Sequence, residues 1–352
     1  MTSYAAAGVD IAAGDRAVEL MKHAVARTAR PEVLGGLGGF AGLFRLDLAR
    51  YRQPVLASST DGVGTKLAVA RAMDRHDSIG IDLVAMVVDD LVVVGAEPLL
   101  LTDYIATGKV VPERIAAIVG GIAEGCVRAG CALVGGETAE HPGLMGEDEY
   151  DLSGTGVGIV DADRLLGPER VRPGDAVLAL GSSGLHSNGY SLARRVLLDD
   201  ARLPLDEIPS GLDRRLGEEL LEPTRIYARD CMALAEHGGA HAFAHITGGG
   251  LAGNLVRVLP EFADAEIDRA TWAPAPIFGV IARAGEVPGD EMERTFNVGV
   301  GMVALVPGER EAEALQLLGE RGVPAWTAGR IVPGRGEVRV SGRYAGSAGD
   351  WF

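Results

Sequence analysis

Apolar residues recur along the chain in short runs that predict alternating strands and helices. Residues 54–57 (PVLA) form a short apolar run that indicates a buried strand, and residues 98–103 (PLLLTD) indicate another. Residues 79–94 (IGIDLVAMVVDDLVVV) are the most apolar stretch of the first half, and their length favours a buried helix over a strand. Residues 112–129 show helical spacing with a proline at the first turn. The first half is therefore predicted to mix strands with helices.

The remaining runs extend this pattern to the end of the chain. A helix is predicted from Asp15 to Arg30, where Pro31 would end it. From Gly308 onwards the sequence predicts one helix and one short strand. Further strands are predicted at residues 131–134, 150–160, 176–180 and 295–306, and further helices after Pro223 and at residues 251–259.

The division into domains is predicted from length and from one charged segment. A chain of 352 residues exceeds one ordinary core, so two domains are expected. Residues 161–174 (DADRLLGPERVRPG) are charged, contain two prolines and precede a new strand, which is typical of a domain junction. We therefore predict an N-terminal domain at residues 1–170 and a C-terminal domain at residues 171–352.

Composition excludes several classes of function. The formal net charge of −16 argues against a nucleic-acid or anionic-membrane surface, because both need a basic footprint. Cys126, Cys131 and Cys231 include no CxxC pair, so a disulfide framework or zinc site is not indicated. No segment reaches about 18 uninterrupted apolar residues, and the first 30 residues lack a signal-peptide pattern. A cytoplasmic protein is the expectation.

The stretch Ser58–Lys66 (SSTDGVGTK) carries the first candidate chemistry. It is predicted to follow a strand and to precede a helix that starts near Leu67, which would place backbone N–H groups, a hydroxyl and an ammonium at a helix N-terminus. Such an end attracts phosphate, and a carboxylate beside it can hold a divalent metal. The candidates are Asp61, Gly62, Gly64, Thr65 and Lys66. The alternative is an ordinary strand-to-helix turn, and the Walker A spacing is absent.

Three further features of the first half suit a phosphate or metal site. The glycine-rich segment at residues 35–42 (GGLGGFAG) is either a flexible linker or a lid over a phosphate tail. Its candidate residues are Gly35, Gly36, Gly38 and Gly39. Asp82, Asp89 and Asp90 are the only charges in the apolar run at 79–94, where an unpaired carboxylate would be costly. Asp89 and Asp90 therefore either meet a metal or a cationic partner, or lie where the helix end emerges into solvent near Gly95. Gly135, Gly136, Glu137 and Thr138 follow a predicted strand and repeat the glycine-plus-carboxylate pattern.

The second half offers candidates for binding a phosphate or a ribose. Ser183, His186, Ser187 and Asn188 lie in a glycine-rich turn between a predicted strand and a helix. His186 is either a general acid–base or a structural residue. Thr247, Gly248 and Gly249 form another such turn, and Asn297 is a further polar candidate.

Eleven motifs occur in the order found in one enzyme family. They are AGVDI, GGLGGF, DGVGTK, IGIDLVAM, GAEPL, DYIATGK, ALVGGETAE, SGLHSNGYSL, PTRIY, HITGGG and FNVGVGM. In this order they resemble phosphoribosylformylglycinamidine cyclo-ligase, also called aminoimidazole ribonucleotide synthetase, over roughly residues 4 to 330.

The resemblance implies a fold and a reaction. It implies an α+β fold with two domains, an N-terminal mixed sheet that associates in a homodimer, and a C-terminal α/β sandwich. It implies that ATP activates the formyl amide oxygen of formylglycinamidine ribonucleotide and that a ring nitrogen then displaces phosphate. Such phosphoryl transfer depends mainly on positioning and charge neutralisation.

The same resemblance assigns roles to residues. It implies that Asp61, Asp90 and Glu137 hold Mg²⁺, and that Lys66 acts on the nucleotide phosphates with Gly64 and Thr65. The glycine-rich segment would be the lid, whereas His186, Ser187, Asn188 and the turn at Thr247 would face the substrate. We expect from this that Lys66→Ala lowers turnover with little effect on folding.

The sequence departs from the family pattern at two positions. Position 89 is usually Asn in the family and is Asp here, and position 141 is usually Met and is His here.

Two rival functions stay open. One rival is another ATP-dependent enzyme of the same superfamily, such as a small-molecule kinase or selenophosphate synthetase. The other is a non-catalytic nucleotide-binding protein.

Overall fold

The chain folds into two compact units. A computed structural model describes residues 8–36 and 38–346. One unit comprises the residues up to Leu91 together with Ala96–Asp163, and the other comprises Val92–Gly95 and the residues from Arg164 onwards. The charged segment at 161–174 thus contains the point where the chain leaves the first unit.

The first unit is built on a four-stranded mixed sheet. A preceding helix, α1 (Ile11–Ala26), and a pair of two-residue strands, β1 (Val33–Leu34) and β2 (Leu43–Phe44), come before it in the chain. The sheet has the order β3-β6-β4-β5, in which β4 and β5 are parallel and the other neighbours are antiparallel. Its strands are β3 (Pro54–Gly62), β4 (Glu97–Thr107), β5 (Ala132–Glu140) and β6 (Tyr150–Asp161).

Glycines allow close contacts between this sheet and one long helix, and between that helix and a second one. The helix α2 (Leu67–Ala72) is short, whereas α3 (Ile79–Val92) and α4 (Pro112–Ala129) are long. A Cβ on Gly156 of β6 would lie 2.6 Å from Val87 of α3, and one on Gly80 of α3 would lie 2.2 Å from the backbone of α4. Only glycine permits so close an approach. The predicted buried helix at 79–94 and the predicted helix at 112–129 are both confirmed.

The second unit is built on a six-stranded sheet with the order β12-β9-β11-β7-β10-β8. All neighbours are antiparallel except β12 and β9. The strands β7 and β10 are buried along their whole length, as expected for an apolar strand inside a domain. The strands are β7 (Ala176–Gly181), β8 (Ala242–His245), β9 (Ala263–Asp268), β10 (Val300–Val306), β11 (Ala325–Pro333) and β12 (Val338–Ser341).

Helices and short helical turns connect these strands. Where α5 and α7 end, the chain continues in π-helical geometry at Arg195–Asp200 and Leu234–Gly238. The helices are α5 (Tyr190–Arg194), α6 (Leu216–Leu220), α7 (Ala228–Ala233), α8 (Gly250–Leu255), α9 (Pro276–Gly285), α10 (Gly289–Thr295) and α11 (Glu311–Glu320). No helix among the described residues combines the length and the apolar character needed to cross a membrane.

Several predicted boundaries were wrong. The strand predicted at 131–134 continues to Glu140, so Gly135, Gly136 and Glu137 lie inside β5 and not in an exit loop. The strand predicted from Thr295 begins at Val300, because Thr295 ends α10. The tail contains two strands, β11 and β12, where one was predicted. Pairing with neighbours that are distant in sequence decides each of these limits, and local patterns do not encode it.

Candidate functional site

A cavity of about 590 Å³ lies in the first unit between α1, the glycine-rich segment, β4, α4 and β5. This volume is within the usual range for small-molecule sites. Aliphatic side chains form most of its wall, and polar groups come from β4 and β5. The residues lining it include Ala17, Val18, Met21, Val25, Gly36, Gly38, Gly39, Gly42, Thr102, Asp103, Val119, Leu133, Gly135, Gly136, Glu137 and Thr138.

The glycine-rich segment forms one wall of the cavity. Its flanking strands β1 and β2 pair in an antiparallel ladder, with Val33 opposite Phe44, so the two ends of the segment are held together. Gly36, Gly38 and Gly39 line the cavity. Gly35 and Gly38 have positive φ values of 83° and 104°, a conformation that glycine adopts without strain. The segment therefore covers a cavity and does not act as a plain linker.

Gly136 makes room for a carboxylate that the sequence analysis overlooked. Asp103 of β4 lies opposite Gly136 in the parallel ladder. A Cβ on Gly136 would lie 2.2 Å from Oδ1 of Asp103, whereas a Cβ on Gly135 would meet nothing within 4 Å. The second glycine of this motif is thus required by the Asp103 side chain, which itself lines the cavity.

The surroundings of Asp103 favour its neutral form. Burial raises the pKa of Asp103 to about 7, and a hydrogen bond from its own backbone N–H opposes this rise. Among the described residues, no arginine or lysine contributes to the shift. A hydrogen bond with Cys131 and burial raise the pKa of the nearby Cys126 thiol, so it stays protonated. Asp103 can therefore act as both a donor and an acceptor near neutral pH.

The three acids predicted to hold Mg²⁺ do not come together within one chain. The register places Asp61 of β3, Gly154, Asp103 and Gly136 in one row across the sheet. Two strands lie between β3 and β5. With neighbouring strands about 4.8 Å apart, Asp61 lies about 14 Å from Gly136, the residue before Glu137. No group of three or more His, Cys, Asp or Glu side chains within the described residues has the arrangement of a metal site.

The three acids also differ in their surroundings. Glu137 lines the cavity, whereas Asp61 accepts a 2.7 Å hydrogen bond from the backbone N–H of Gly62. Asp90 is exposed on α3, and its neighbour Asp89 is fully buried. Of that pair, only Asp90 presents a carboxylate to solvent. The expectation of one three-carboxylate site inside a single chain is thus not met.

Lys66 lies in the interior of the first unit. Its side chain and that of Asp82 on α3 are both fully buried, and Nζ lies 2.9 Å from Oδ1. Removing one member of such a pair takes away the opposite charge from a buried group, which is destabilising. This burial argues against the expectation that Lys66→Ala would have little effect on folding, which the stability of the variant tests.

The turn before Lys66 differs from the expected helix N-terminus. Gly64–Lys66 forms a single 3-10 turn and α2 has only six residues, so the dipole behind this turn is small. Gly64 has a φ of 73°, and both Gly64 and Thr65 are exposed. The turn can reach a ligand through Thr65 and the backbone, whereas the lysine points inward.

In the second unit, a polar network holds the turn after β7. Asn297 donates from Nδ2 to the carbonyl of Gly184 at 2.9 Å, and its Oδ1 accepts from the N–H of Gly299 at 2.8 Å. Ser182 Oγ lies 3.1 Å from the same Oδ1. Ser183 Oγ donates to the carbonyl of Pro223 at 2.6 Å. Asn297 thus fixes the backbone, which explains its burial.

His186 is buried and hydrogen-bonded within this network. Its side chain is 1% exposed, and Nε2 accepts the backbone N–H of Ser183 at 3.1 Å. A Cβ on Gly301 would lie 2.5 Å from the imidazole and 2.1 Å from the hydroxyl of Tyr227, so that glycine makes space for both rings. His186 also has a φ of 62°. This geometry favours the structural interpretation over proton transfer.

The turn after β8 uses its amides within the protein. Asn188 Oδ1 accepts from the N–H of Gly248 at 3.2 Å, which joins the two glycine turns. The N–H groups of Gly249 and Gly250 donate to the carbonyls of Arg294 and Thr247. The expected cradle of amides available to a phosphate is therefore not present in this conformation. Ser187 is 9% exposed, and Oγ has no hydrogen-bond partner among the described residues.

The comparisons with known proteins agree with this architecture. Two family models match, AIR synthase related protein, N-terminal domain, at residues 41–160, and AIR synthase related protein, C-terminal domain, at residues 172–341. A phosphoribosylformylglycinamidine cyclo-ligase of Anaeromyxobacter dehalogenans is 57% identical over 94% of this chain and 96% of its own. One of Geobacillus kaustophilus is 55% identical over 97% and 99%. The chain belongs to the phosphoribosylformylglycinamidine cyclo-ligase family. Its members are ligases of purine biosynthesis that form a C–N bond.

Solved structures show the same fold in relatives outside the cyclo-ligase family. Thiamine-monophosphate kinase from Stenotrophomonas maltophilia is 24% identical, with a TM-score of 0.67 over 93% of this chain and 96% of that one. Hydrogenase maturation protein HypE in complex with ATP is 20% identical, with a TM-score of 0.62 over 93% and 90%. At these identities the likeness establishes the fold alone, which confirms the predicted α+β class.

The two departures from the cyclo-ligase pattern fall in different environments. Asp89 stands where the resemblance expects Asn, and its full burial separates it from solvent. His141 stands where Met is expected, and its Nε2 lies 3.0 Å from the hydroxyl of the partly exposed Tyr104. Neither residue lines the cavity.

The residues that the sequence analysis missed share one property. Asp82 and Asp103 are carboxylates within apolar elements, where burial of charge signals a partner or a function. Asp82 was noted as a charge in the apolar run, but its spacing to Lys66 carried no sign of contact.

Proposed function

We propose that this cyclo-ligase closes the imidazole ring of formylglycinamidine ribonucleotide at the expense of ATP. The products are 5-aminoimidazole ribonucleotide, ADP and phosphate. ATP phosphorylates the formyl amide oxygen, and the ring-closing nitrogen then displaces that phosphate. The protein's part in such a step is to position the reactants and to neutralise charge.

One observation carries the assignment of the nucleotide to the first unit. The glycine-rich segment and the Gly135–Thr138 stretch, which lie almost 100 residues apart in sequence, line the same cavity. The backbone of the glycine-rich segment can approach phosphate oxygens closely, and the aliphatic wall suits a nucleoside. A non-catalytic binding protein would explain the cavity but not the membership of the cyclo-ligase family.

Magnesium is the expected companion of the ATP phosphates. Mg²⁺ usually takes one or two carboxylates and completes its shell with water and phosphate oxygens. Glu137 lies in the cavity and suits that role, whereas Asp61 and Asp90 lie outside it. We propose Glu137 as a ligand of nucleotide-bound Mg²⁺. We propose that Asp61 and Asp90 of the same chain do not bind that ion.

The second unit is the proposed site of the substrate. Ser183, Ser187, Asn188 and Thr247 supply the hydroxyl and amide groups that a ribose phosphate needs. His186 and Asn297 hold the turn that presents them, through the bonds to Ser183 and Gly184. Because the amides of the Gly248–Gly250 turn are already bonded, side chains are the proposed contacts.

The proposed assembly is a cytoplasmic homodimer that associates through the N-terminal sheets. The strand β3 is an edge strand, and Leu56 on it is 59% exposed. Val55 and Tyr104 of the same sheet are also more than one-third exposed. An apolar edge of this kind is usually covered.

A direct assay tests the function. The purified protein is incubated with ATP, Mg²⁺ and formylglycinamidine ribonucleotide, and ADP and the aminoimidazole product are measured together. We expect equal amounts of both and dependence on the ribonucleotide. ADP without the ring product would indicate a kinase or ATPase, and no ADP would leave a nucleotide-binding protein.

A further inference from the structure

We propose that Asp103 reads the base of the bound nucleotide and selects adenine, with its carboxyl group paired to the N1 and 6-amino positions. The inference rests on the proposed function, because it assumes that the cavity of the first unit holds the nucleotide. It adds a specificity-determining residue on β4, at the first position of the DYIATGK motif.

The position of Asp103 in the cavity wall suits a contact with a base. Asp103 is a polar side chain in a wall that is otherwise mainly aliphatic, with Val18, Met21, Val119 and Leu133 among its neighbours in that wall. Aliphatic walls suit a flat base, and a few polar groups fix the orientation of the ligand. Because these neighbours are aliphatic and suit a base, Asp103 suits the base end of a nucleotide.

The fold makes room for the Asp103 side chain. The absence of a Cβ on Gly136 leaves the space that Oδ1 of Asp103 occupies, at what would be 2.2 Å. The neighbouring position, Gly135, has no such constraint. The β4–β5 pairing therefore fixes the carboxyl beside the cavity.

The hydrogen-bonding groups of a neutral carboxylic acid match those of adenine. A neutral carboxylic acid offers one O–H donor and one carbonyl acceptor. Adenine presents an acceptor at N1 beside a donor at the 6-amino group, which matches this pair. Guanine presents a donor at N1 beside an acceptor at O6 and a donor at the 2-amino group, which suits an ionised carboxylate. The burial that raises the pKa of Asp103 to about 7 favours the form that pairs with adenine.

The charged and titratable groups around Asp103 are few. On β5, Glu137 lines the same cavity, and on α4 the Cys126 thiol lies near the carboxyl. The residues by which α1 and the glycine-rich segment line the cavity carry no titratable side chain. Asp103 is expected to titrate near pH 7, because burial raises its pKa to about 7.

The test compares three nucleotides in the presence of Mg²⁺, namely ATP, GTP and purine riboside triphosphate, which lacks the 6-amino group. Binding to the full chain is measured by calorimetry at pH 6.5. We expect the wild type to bind ATP at least about 10-fold more tightly than either analogue, since one hydrogen bond corresponds to about 1.4 kcal/mol. In Asp103→Ala the ratio of ATP to purine riboside affinity falls towards one.

Two other variants make the test independent of the stability of Asp103→Ala. The wild type should lose affinity for ATP from pH 6.5 to 8, because ionisation of Asp103 removes its O–H donor. Asp103→Asn keeps a donor and an acceptor, so it should retain the preference for ATP and should not show this loss. Gly136→Ala displaces the carboxyl and should lower the same ratio. The exposed Asp151 on β6, which does not line the cavity, gives a control variant Asp151→Asn with the wild-type ratio.

The outcomes separate this inference from the proposed function. A wild type that binds ATP but does not distinguish the three nucleotides overturns the role of Asp103. So does a folded Asp103→Ala or Gly136→Ala variant that keeps the wild-type ratio. A wild type that binds no nucleotide overturns the proposed function itself.

Discussion

At the scale of single residues, the buried pair Lys66–Asp82 decides how one motif is understood. The GVGTK sequence suggested a lysine on a phosphate, but Nζ lies 2.9 Å from Asp82 inside the first unit. Sequence identifies a lysine next to glycines, but it does not show which side of the turn faces the core. The role assigned by resemblance therefore needs a stability measurement beside the kinetic one.

We predict that Lys66→Met lowers the free energy of unfolding by about 3–5 kcal/mol, because the buried Asp82 carboxylate would lose the ammonium group that faces it. The double variant Lys66→Met with Asp82→Leu should recover most of that loss, because two apolar groups replace the pair. Thermal unfolding measures both. As a control, Lys109→Met alters an exposed pair with Glu147 and should change stability by less than about 1 kcal/mol. A Lys66→Met protein as stable as the wild type would contradict the burial of this pair.

Asp103 and Gly136 show what residue patterns can and cannot reveal. The GGE motif was recognised as significant, and the cavity does include it. Its strand context was not recognised, because β5 continues through the two glycines by pairing with β4. The partner of Gly136 is 33 positions away in sequence, beyond the reach of any local pattern.

At the scale of elements, the long and strongly patterned helices were the most predictable. The limits of α4 match the prediction because Pro112 begins it and Gly130, with a φ of 83°, ends it. The limits of β5 and β10 did not match, because cross-strand partners set them. The pairing of β1 with β2, which turns the glycine segment into a closed loop, involves only two residues in each strand.

We predict that the two glycines of β5 respond differently to a methyl group. Gly136→Ala should lower the free energy of unfolding by about 1–3 kcal/mol, because the new Cβ overlaps the Asp103 side chain. Gly135→Ala should change it by less than about 0.5 kcal/mol, since that Cβ meets nothing within 4 Å. Melting temperatures of the two variants are compared directly. Equal losses would mean that strand propensity, and not the close approach to Asp103, explains Gly136.

At the scale of the whole molecule, the two-unit α+β organisation was predictable from length, the charged segment at 161–174 and the motif order. The strand orders of the two sheets were not, because they depend on long-range pairing. The candidate site was predicted in part. The glycine-rich segment and the Gly135–Thr138 stretch share a cavity, whereas the three acids were expected on one ion and lie apart in the chain.

We predict that the protein is a homodimer and that Leu56→Glu converts it to monomers. A carboxylate on this edge strand would have to be desolvated in the proposed interface, which is costly. Light scattering at micromolar concentration measures the mass. Ile208→Glu is the matched control, since Ile208 is 58% exposed and belongs to the second unit. A monomeric wild type, or a Leu56→Glu variant that remains a dimer, would contradict the assignment of this edge.

The most direct test of the account is a crystal structure of the full chain with a non-hydrolysable ATP analogue and Mg²⁺. The account predicts the nucleotide in the cavity of the first unit, with the glycine-rich segment over its phosphates, Glu137 near the metal and Asp103 against the base. A nucleotide bound elsewhere, with this cavity empty, would contradict the assignment of the ATP site to the first unit.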